Sequence, residues 1–382
     1  MTNTHCIEII ESEFSALDKN LIYLNHAAVA PWPLRTQTAV NQFAAENVQS
    51  GAYHYPQWMQ KEQFLRQQIA GLINAPVYDD LALLKNTSEA LSVVAHGLSW
   101  QAGDNIVTSN EEFPSNRIVW ESLKHQGVEL RQIDLAGKTP EQALIDATDK
   151  NTRLLAISSV QYASGLRLDL EQIGSYCRQH EILFCVDAIQ SVGAVATDVQ
   201  AIKADFMMAD GHKWMLGPEG LAFFYCRNEI RERIHLHQYG WHMVEDHLDF
   251  SRTDWQAAHT ARRFECGSPN MLSIHALSAS ISLLLDAGME HIEAQLNDNI
   301  QHLINGINSS RNLQLLSRPD PDHLAGIILF RHNKLKHTDL YQQLMKLGVV
   351  CAARGAGVRF SPHFYTSKQQ ISKAIEIADA QT

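Results

Sequence analysis

The stretch from Glu181 to Tyr225 decides the fold that this sequence predicts. It reads EILFCVDAIQSVGAVATDVQAIKADFMMADGHKWMLGPEGLAFFY. Ile182 to Val186 is a short apolar run, typical of a buried strand, and it ends on the carboxylate of Asp187. A second apolar run, Phe206 to Ala209, ends just before the sequence Gly-His-Lys at 211–213. The two predicted strands therefore bring an acid and an amine to the same edge of one sheet.

A lysine beside a carboxylate at that edge predicts a cofactor that needs both groups. In an open α/β sheet, ligands bind at the carboxyl ends of the strands. Pyridoxal 5′-phosphate (PLP) has an aldehyde that forms a Schiff base with an amine, and a pyridinium nitrogen that an anion keeps protonated. We therefore expect Lys213 to be the catalytic residue that binds PLP, and Asp187 to pair with the pyridinium nitrogen.

Six segments along the chain resemble, in order, the class V aminotransferase family of fold type I PLP-dependent enzymes. They are NTSEAL (86–91), EFPSN (112–116), VDAIQSVG (186–193), ADGHKWMLGPEG (209–220), FECGSPN (264–270) and GVRFSPHFY (357–365). This family includes cysteine desulfurases, selenocysteine lyases, isopenicillin N epimerase and kynureninase. The resemblance spans Tyr23 to Tyr365, which is nearly the whole chain.

The resemblance implies an α/β protein with the fold of a type I PLP-dependent transferase. We expect a large PLP-binding domain at 21–280, with a mostly parallel seven-stranded sheet, and a smaller α+β domain at 281–382. Residues 1–20 are expected to associate with the small domain. In that domain the apolar runs at 324–330 and 348–353 predict two strands.

The resemblance also implies the cofactor contacts. Thr87 and Ser88 open a predicted helix, where hydroxyls, backbone amides and the helix dipole favour the PLP phosphate. A capping box between Asn86 and Glu89 is the alternative explanation of these residues. The other expected contacts are Phe113, which stacks on the ring, Gln161 and Gln190, which hydrogen-bond the phenolic oxygen or, for Gln161, the substrate, and His212, which contacts the phosphate.

Two further residues bear on the phosphate. Ser268 corresponds to the residue that reaches the phosphate of the neighbouring subunit in relatives, so it implies a homodimer with shared active sites. Asp210 stands where many relatives have a serine before Gly-His-Lys. A carboxylate repels a phosphate dianion, so one expected phosphate contact is missing or is supplied by another residue.

The substrate residues that the resemblance implies are Arg359, Asn25 and His26. Arg359 corresponds to the arginine that holds the substrate's α-carboxylate in a bidentate pair. A structural ion pair is the alternative role for Arg359. Asn25 and His26 belong to an entry segment that is expected to line the substrate pocket, although a strand followed by a helix start explains them equally well.

Two observations lead to an expected reaction: the family resemblance and the short interval at residues 354–359. Cysteine desulfurases carry a nucleophilic cysteine on a flexible loop before the carboxylate-binding arginine, whereas residues 354–359 read RGAGVR, without cysteine. Cys351 lies in an apolar strand pattern and is expected to be packed. We therefore expect an epimerase, lyase or aminotransferase acting on an amino acid or a derivative of one.

Two alternatives to that reaction stay open. One is a cysteine desulfurase or selenocysteine lyase type of activity, and the other is a catalytically idle PLP-fold protein with a binding or regulatory role. The presence of Lys213, Asp187 and Arg359 argues against an idle site.

Charge and cysteine content narrow the range of binding partners and cellular compartments that the sequence predicts. With 382 residues and a net charge of −11, the chain gives no electrostatic reason to bind nucleic acid or an anionic membrane. The six cysteines show no CxxC spacing and predict reduced thiols in a cytoplasmic enzyme with a small-molecule substrate. The four histidines between His235 and His247 match no ligand pattern, so no metal is expected.

Overall fold

The computed structural model describes residues 12–320 and 323–382, so the first eleven residues of the predicted N-terminal segment 1–20 lie outside the described residues. In chain order the elements are β1 (Ile22–Tyr23), α1 (Leu34–Ser50), α2 (Tyr55–Leu72), β2 (Leu81–Leu84), α3 (Thr87–Gly97), β3 (Asn105–Ser109), α4 (Ser115–Glu121), β4 (Glu129–Ile133), α5 (Pro140–Asp146), β5 (Thr152–Ser158), α6 (Leu170–Gln179), β6 (Leu183–Asp187), α7 (Val199–Ile202), β7 (Phe206–Asp210), β8 (Ala222–Cys226), α8 (Asn228–Arg231), α9 (Met271–Ala287), α10 (Met289–Ser309), β9 (Leu313–Leu315), β10 (Ile328–His332), α11 (His337–Lys346), β11 (Val349–Val350), β12 (Ala352–Arg354), β13 (Gly357–Phe360) and α12 (Lys368–Asp379).

The central sheet has seven strands in the order β2-β8-β7-β6-β5-β3-β4. Every neighbouring pair is parallel except the two pairs that β8 makes with β2 and β7. The predicted mostly parallel seven-stranded sheet is therefore confirmed. The carboxyl ends of β2, β3, β5, β6 and β7 meet at one edge, which is where the sequence predicted the site.

Helices cover both faces of this sheet, and the side chains of each central strand alternate between two cores. In β7, Met207 and Ala209 face one apolar cluster while Phe206 and Met208 face the other. A strand that is buried on both faces needs apolar residues at every position, because neither face meets water. This explains the unbroken apolar runs that end on functional residues.

The smaller domain has a four-stranded antiparallel sheet in the order β12-β13-β10-β9, packed against α10 and α11, and α12 packs against these two helices. Its core includes Ile22 and Leu24, because β1 runs parallel to β11, with Ile22 opposite Val349. Helix α9 runs across position 280 and buries Leu283 and Leu284 in the core of the large sheet. The division of the chain near 20 and 280 stays a prediction, and these contacts place residues 22–24 with the small domain.

Within the described ranges, no single helix has both the length and the apolar character to cross a membrane. Only the pair Met271–Ala287 and Met289–Ser309, bent by 82°, reaches both criteria when the two helices are taken together.

Candidate active site

A cavity of about 220 Å³ lies at the carboxyl edge of the large sheet, facing the small domain. The predicted site residues that line it are Thr87, Ser88, Phe113, Asp187, Gln190, His212, Lys213 and Arg359. Residues that the sequence did not single out as ligands also line it, among them Ser115, Tyr162, Asp210, Glu219 and Arg354. The structure therefore brings together side chains that follow β2, β3, β5, β6 and β7 at one edge of the large sheet with side chains from the β12–β13 hairpin of the small domain.

Lys213 and Asp187 are two of the buried ionisable groups that line this cavity. Asp187 is 2% exposed at the end of β6, and Lys213 is 8% exposed in the loop after β7. Burial raises the pKa of Asp187, although the amide of Ile189 donates to its Oδ1 at 3.1 Å and opposes that rise. Burial lowers the pKa of Lys213, and the neighbouring Asp187 carboxylate limits that fall. The lysine is therefore closer to its neutral, nucleophilic form than an exposed lysine is.

The loop that carries Lys213 is held in a tight conformation by its own backbone. Gly217 N donates to Gly211 O at 2.8 Å, and Leu216 N donates to Lys213 O at 3.0 Å. Leu216 is buried and has a φ of +60°, which costs free energy for a residue other than glycine. Such a conformation persists only where surrounding contacts hold it, so the lysine backbone is firmly positioned.

Trp214 provides the main brace of the lysine loop. Its indole Nε1 donates to Gln190 Oε1 at 2.9 Å, and Gln190 Nε2 donates to Ala27 O at 3.0 Å. On the small-domain side, His363 Nε2 lies 3.2 Å from Trp214 O. A Cβ atom at Gly193, which has a φ of +94°, would lie 2.4 Å from the same carbonyl oxygen. Gln190 lines the cavity, but its amide is already engaged in positioning the loop.

The N-terminus of α3 forms one end of the cavity. Asn86 Oδ1 accepts from Glu89 N at 2.9 Å, and Glu89 Oε2 accepts from Lys85 N, so this helix is capped as the sequence suggested, with Lys85 as the reciprocal donor. Thr87 Oγ1 is buried and has no hydrogen-bond partner among the described residues. A buried hydroxyl without a partner at a helix start fits an anion such as phosphate.

Phe113 lies over the lysine. Its ring centroid is 5.6 Å from Lys213 Nζ, and its ring meets that of Tyr162 edge to face at 5.2 Å. Phe113 is 40% exposed. A ring with an open face beside the lysine fits the predicted stacking on the pyridine ring.

Arg359 is a buried cation that lacks a carboxylate partner in the part of the chain that the structure describes. It is 1% exposed, and its Nη1 donates to Tyr162 O at 2.6 Å. Its Nε and Nη2 atoms are buried without a hydrogen-bond partner among the described residues. Burial lowers the pKa of Arg359 to about 9. Two unpaired donors on one edge of a guanidinium fit a carboxylate better than a structural ion pair.

Four predicted residues lie outside the cavity lining of the single chain: His26, Asn25, Gln161 and Ser268. His26 is buried in an aromatic cluster, with Nδ1 2.9 Å from Ser361 O and Nε2 2.6 Å from the Tyr365 hydroxyl. Asn25, its neighbour, is half-buried and pairs through its backbone with Ser361. Gln161 is buried below the cavity. The substrate roles of Asn25 and His26 and the cofactor role of Gln161 stay predictions.

Glu112 explains the position of Gln161 and was missed by the sequence analysis. Its Oε1 accepts from Gln161 Nε2 at 2.9 Å and from Ser158 N at 3.0 Å, and its Oε2 accepts from Asn116 Nδ2 at 2.7 Å. A buried carboxylate with this many hydrogen-bond donors is fixed in its position. The signal was present in EFPSN, where a glutamate directly precedes the predicted stacking ring.

Ser268 is exposed on the loop that follows Glu265. Glu265 anchors that loop, because Arg66 donates to both of its carboxylate oxygens, at 2.6 and 2.8 Å. Glu62, His242 and Glu265 have ligand atoms within 4.8 Å of one another, but Arg66 also pairs with Glu62, so both carboxylates are engaged. Ser268 is therefore held on a braced loop, free to contact another subunit.

The residues in the cavity fit PLP. The open hydroxyl of Thr87 and the start of α3 suit the phosphate, the buried Asp187 carboxylate suits the pyridinium nitrogen, and the Lys213 amine suits the aldehyde. The unpaired edge of Arg359 suits the carboxylate of an amino acid. The Asp210 carboxylate does not match a phosphate, because like charges repel.

Comparisons with known proteins agree with this fit. The family described as "Aminotransferase class-V" matches residues 22–373. A probable cysteine desulfurase of Methanothermobacter thermautotrophicus is 30% identical over 373 residues, which is 92% of each chain. The apo structure of a cysteine desulfurase from Thermococcus onnurineus NA1 aligns with a TM-score of 0.86 at 24% identity, over 97% of each chain.

Structures of C-DES also share the fold. The complex of this cystine C-S lyase with its reaction product, cysteine persulfide, aligns with a TM-score of 0.89 at 21% identity, over 96% of this chain and 99% of that one. A C-DES variant with glycine covalently linked to PLP has the same TM-score at 22% identity, over 97% of this chain and 99% of the other. Together the matches show that this chain belongs to the aminotransferase class-V family, and this membership confirms the predicted type I fold, the predicted enzyme class and the predicted cofactor, PLP.

Proposed function

We propose that this protein is a PLP-dependent lyase that cleaves the Cβ–S bond of cysteine or cystine and releases the sulfur product into solution. The main support for this proposal is the hairpin between Arg354 and Arg359, which is too short to contain a catalytic cysteine loop. The names of the relatives support a sulfur amino acid as substrate, and C-DES is a lyase of this kind.

The hairpin is as short as two paired strands allow. Arg354 pairs with Gly357, so only Gly355 and Ala356 form the turn, and Gly355 has the positive φ, +51°, that such a turn requires. Cys351, before the hairpin, is 2% exposed, and burial raises its pKa to about 12. No described cysteine lines the cavity. A thiol that receives the substrate's sulfur is therefore missing from the position where desulfurases carry it.

The cavity contains residues that could bind the substrate's carboxylate, accept the Cα proton and pair with the cofactor's ring nitrogen. PLP, when bound, would supply the electron sink that makes the Cα proton of the substrate acidic. Arg359 binds the α-carboxylate with its two free donors and orients the Cα–H bond. The Lys213 amine, which burial makes less basic, accepts the Cα proton. Asp187 supplies the anion that stabilises the positive pyridinium nitrogen.

The bonds and atoms balance without an oxidant. The electron pair of the Cα–H bond forms a Cα–Cβ double bond, and the electron pair of the Cβ–S bond leaves with sulfur, which takes up a proton. Addition of water to the released enamine gives pyruvate and ammonia. Cysteine therefore yields pyruvate, ammonia and hydrogen sulfide, whereas cystine yields pyruvate, ammonia and cysteine persulfide.

Product analysis tests this proposal. The PLP-loaded protein is incubated with cysteine or with cystine, and pyruvate, ammonia and alanine are quantified. The lyase proposal expects pyruvate and ammonia in equal amounts, without alanine. It also expects a Cys266→Ser, Cys351→Ala double variant to keep its activity, because neither thiol takes part.

The second candidate is a cysteine desulfurase, which the names of the relatives favour. Its signature is alanine in place of pyruvate, together with a protein-bound persulfide that mass spectrometry detects. Cys266 is the described cysteine that is not buried, and it lies on the same loop as Ser268. Alanine formation that disappears in Cys266→Ser would replace the lyase proposal with this one.

We also propose a cytoplasmic homodimer in which Ser268 completes the partner's phosphate site. Several large apolar side chains are exposed in the single chain and would be covered in a dimer, among them Tyr53, Tyr239, Phe250, Trp255 and Leu272. The five described cysteines are unpaired, which suits a reducing compartment. Light scattering tests the dimer, and mixing Lys213→Ala with Ser268→Ala subunits tests sharing: a shared site predicts that the mixed dimer contains one fully intact site.

A further inference from the structure

Arg354 and Arg359 line the same cavity from one hairpin of the small domain. Strand β12 pairs antiparallel with β13, so that Arg354 lies opposite Gly357 and Arg359 lies opposite Ala352. Residues that lie opposite each other, and alternate residues along one strand, share a face of the sheet. The two arginines are therefore diagonal neighbours on one face, a position in which residues lie about 7–8 Å apart.

Arg354 has no carboxylate partner in the part of the chain that the structure describes. Its Nη1 donates to the neutral backbone oxygen of Ala353 at 2.9 Å. None of the described carboxylates that line the cavity forms an ion pair with it. The side chain is half-buried, whereas Arg359 is fully buried. Because a guanidinium has five N–H donors, Arg354 keeps donors for a ligand in the cavity.

The charge of Arg354 acts on the other basic groups of the cavity. Burial is the main cause that lowers the pKa of Arg359 and that of Lys213, and the positive charge of Arg354 lowers both pKa values further. Neighbouring cations repel each other. One carboxylate bound by Arg359 leaves the charge of Arg354 unbalanced, whereas a ligand with two carboxylates would balance both arginines.

Cystine carries two carboxylates at a spacing that suits this pair of arginines. In a disulfide-linked pair of cysteines, the two Cα atoms lie about 5.5–6 Å apart. Each carboxyl carbon is about 1.5 Å from its Cα atom, so the two carboxylates can stand about 7–8 Å apart. Cysteine has a single α-carboxylate, which Arg359 would bind, and therefore leaves Arg354 without a partner.

We propose that Arg354 is a specificity-determining residue that binds the second carboxylate of cystine, so that the disulfide rather than cysteine is the substrate. This assignment rests on the lyase reaction proposed for the same cavity. Arg359 holds the half whose Cβ–S bond breaks, and Arg354 holds the half that leaves as cysteine persulfide. The electron pair of the Cβ–S bond departs with the sulfur, which takes up a proton, and the S–S bond stays intact.

Kinetics with two disulfides test this assignment. The mixed disulfide of cysteine with cysteamine has the same Cβ–S–S linkage as cystine but lacks the second carboxylate. For the PLP-loaded wild-type protein, kcat/KM for cystine should exceed that for the mixed disulfide by about tenfold to a hundredfold, because the mixed disulfide lacks the charged hydrogen bond to Arg354. Arg354→Gln should make the two values nearly equal. Arg331→Gln, at an exposed arginine of the same sheet, should keep the wild-type ratio.

Binding of two carbon analogues separates this assignment from the lyase reaction. Diaminosuberate has two methylene groups in place of the sulfur atoms of cystine, so it keeps both carboxylates and has no C–S bond. The matching diaminoheptanoate lacks one of the two carboxylates. Calorimetry should show tighter binding of diaminosuberate to the wild-type protein and to Arg331→Gln, and no such preference in Arg354→Gln. Arg354→Lys, which keeps the charge, should retain part of the preference.

The outcomes distinguish the two proposals. A wild-type protein without a preference for diaminosuberate, or a preference that persists in Arg354→Gln, would overturn the role of Arg354. If neither disulfide yields pyruvate while the binding preference is present and depends on Arg354, the second carboxylate site stands and the lyase reaction is refuted.

Discussion

Replacing Arg359 with glutamine should remove the recognition of the substrate's carboxylate without destabilising the protein. Two donors of Arg359, Nε and Nη2, are buried and unpaired, and both would face a carboxylate in a bidentate pair. A hydrogen bond to a charged group contributes about 1.5–3 kcal/mol. Losing two of them raises the barrier by about 3–6 kcal/mol, which corresponds to a loss of roughly a hundredfold to ten-thousandfold in kcat/KM.

The stability of the apoenzyme should not fall with this change. Burial lowers the pKa of Arg359 to about 9, which shows that the folded protein disfavours its charge. Among the described residues the guanidinium has one hydrogen bond, to Tyr162 O. Removing an uncompensated buried charge offsets the loss of that bond, so the free energy of unfolding in urea should stay equal or rise.

The assay compares two ligands that do not lose a Cβ substituent. Alanine carries the carboxylate and ethylamine lacks it, and the absorption change of the bound cofactor reports the dissociation constant of each. Arg359→Gln should weaken the binding of alanine and leave the binding of ethylamine unchanged. The control variant Arg331→Gln, at an exposed arginine of the same sheet, should alter the binding of neither ligand. Equal weakening of both ligands would refute carboxylate recognition by Arg359.

Three further perturbations test the framework of the site. Gly193→Ala should weaken PLP binding in a spectrophotometric titration, because the added Cβ would lie 2.4 Å from a backbone oxygen of the lysine loop. The control is Gly103→Ala, where the glycine has the same φ of +94° but lies in open space, and PLP binding should not change. Equal effects of the two variants would exclude the collision as the cause. Arg66→Met should lower the free energy of unfolding by about 3–5 kcal/mol, because two carboxylates stay buried without their partner. The exposed Arg117→Met should cost less than about 1 kcal/mol in the same urea titrations, and similar costs for the two variants would contradict the buried pairing. Burial lowers the pKa of His26 from 6.5 to about 4, so below pH 6.5 protons bind the unfolded chain preferentially, and stability should fall by about 3 kcal/mol between pH 6.5 and pH 4. A His26→Gln variant that loses the same stability over this range would show that another group is responsible.

The central sheet was predictable because its strands have two recognisable sequence features, an unbroken apolar run and a polar residue at the end of that run. Strands β6 and β7 are apolar at every position before the last, and each ends on an aspartate that lines the cavity, Asp187 and Asp210. Parallel strands share a carboxyl edge, so their ends meet without any knowledge of the loops. The sequence pattern of each strand is therefore enough to place its last residue at the edge where the cavity lies.

The small domain was harder to predict, because glycine and long-range pairing override the apolar pattern. The run at 324–330 predicted one strand, but β10 begins only at Ile328, after Gly326 adopts a φ of +64° against the Trp214 ring. The run at 348–353 predicted another single strand, but it splits at Cys351 into β11 and β12, which belong to different sheets.

Side-chain direction limited the prediction of the site. Sequence position placed Gln161 and His26 near the correct edge, but their partners lie far away along the chain, at Glu112 and at Ser361 and Tyr365. Conversely, Tyr162 and Arg354 line the cavity although neither of them was predicted to have a role in the site: Tyr162 follows Gln161, and Arg354 begins the interval without a cysteine. A residue's sheet edge follows from its strand, whereas the atom that it contacts depends on the packing of distant segments.

The pairing of β1 with β11 has a consequence for how the protein is made. On the ribosome, residues 22–23 emerge several hundred residues before Val349 and Val350, the only strand with which they pair in the described structure. The large sheet can assemble as it is synthesised, but the small domain cannot close until the last quarter of the chain has been released. Until then the entry segment, and the Ala27 carbonyl that braces the lysine loop through Gln190, lacks its anchor. Nascent chains should therefore acquire protease resistance in the large domain first, and bind PLP tightly only after translation ends.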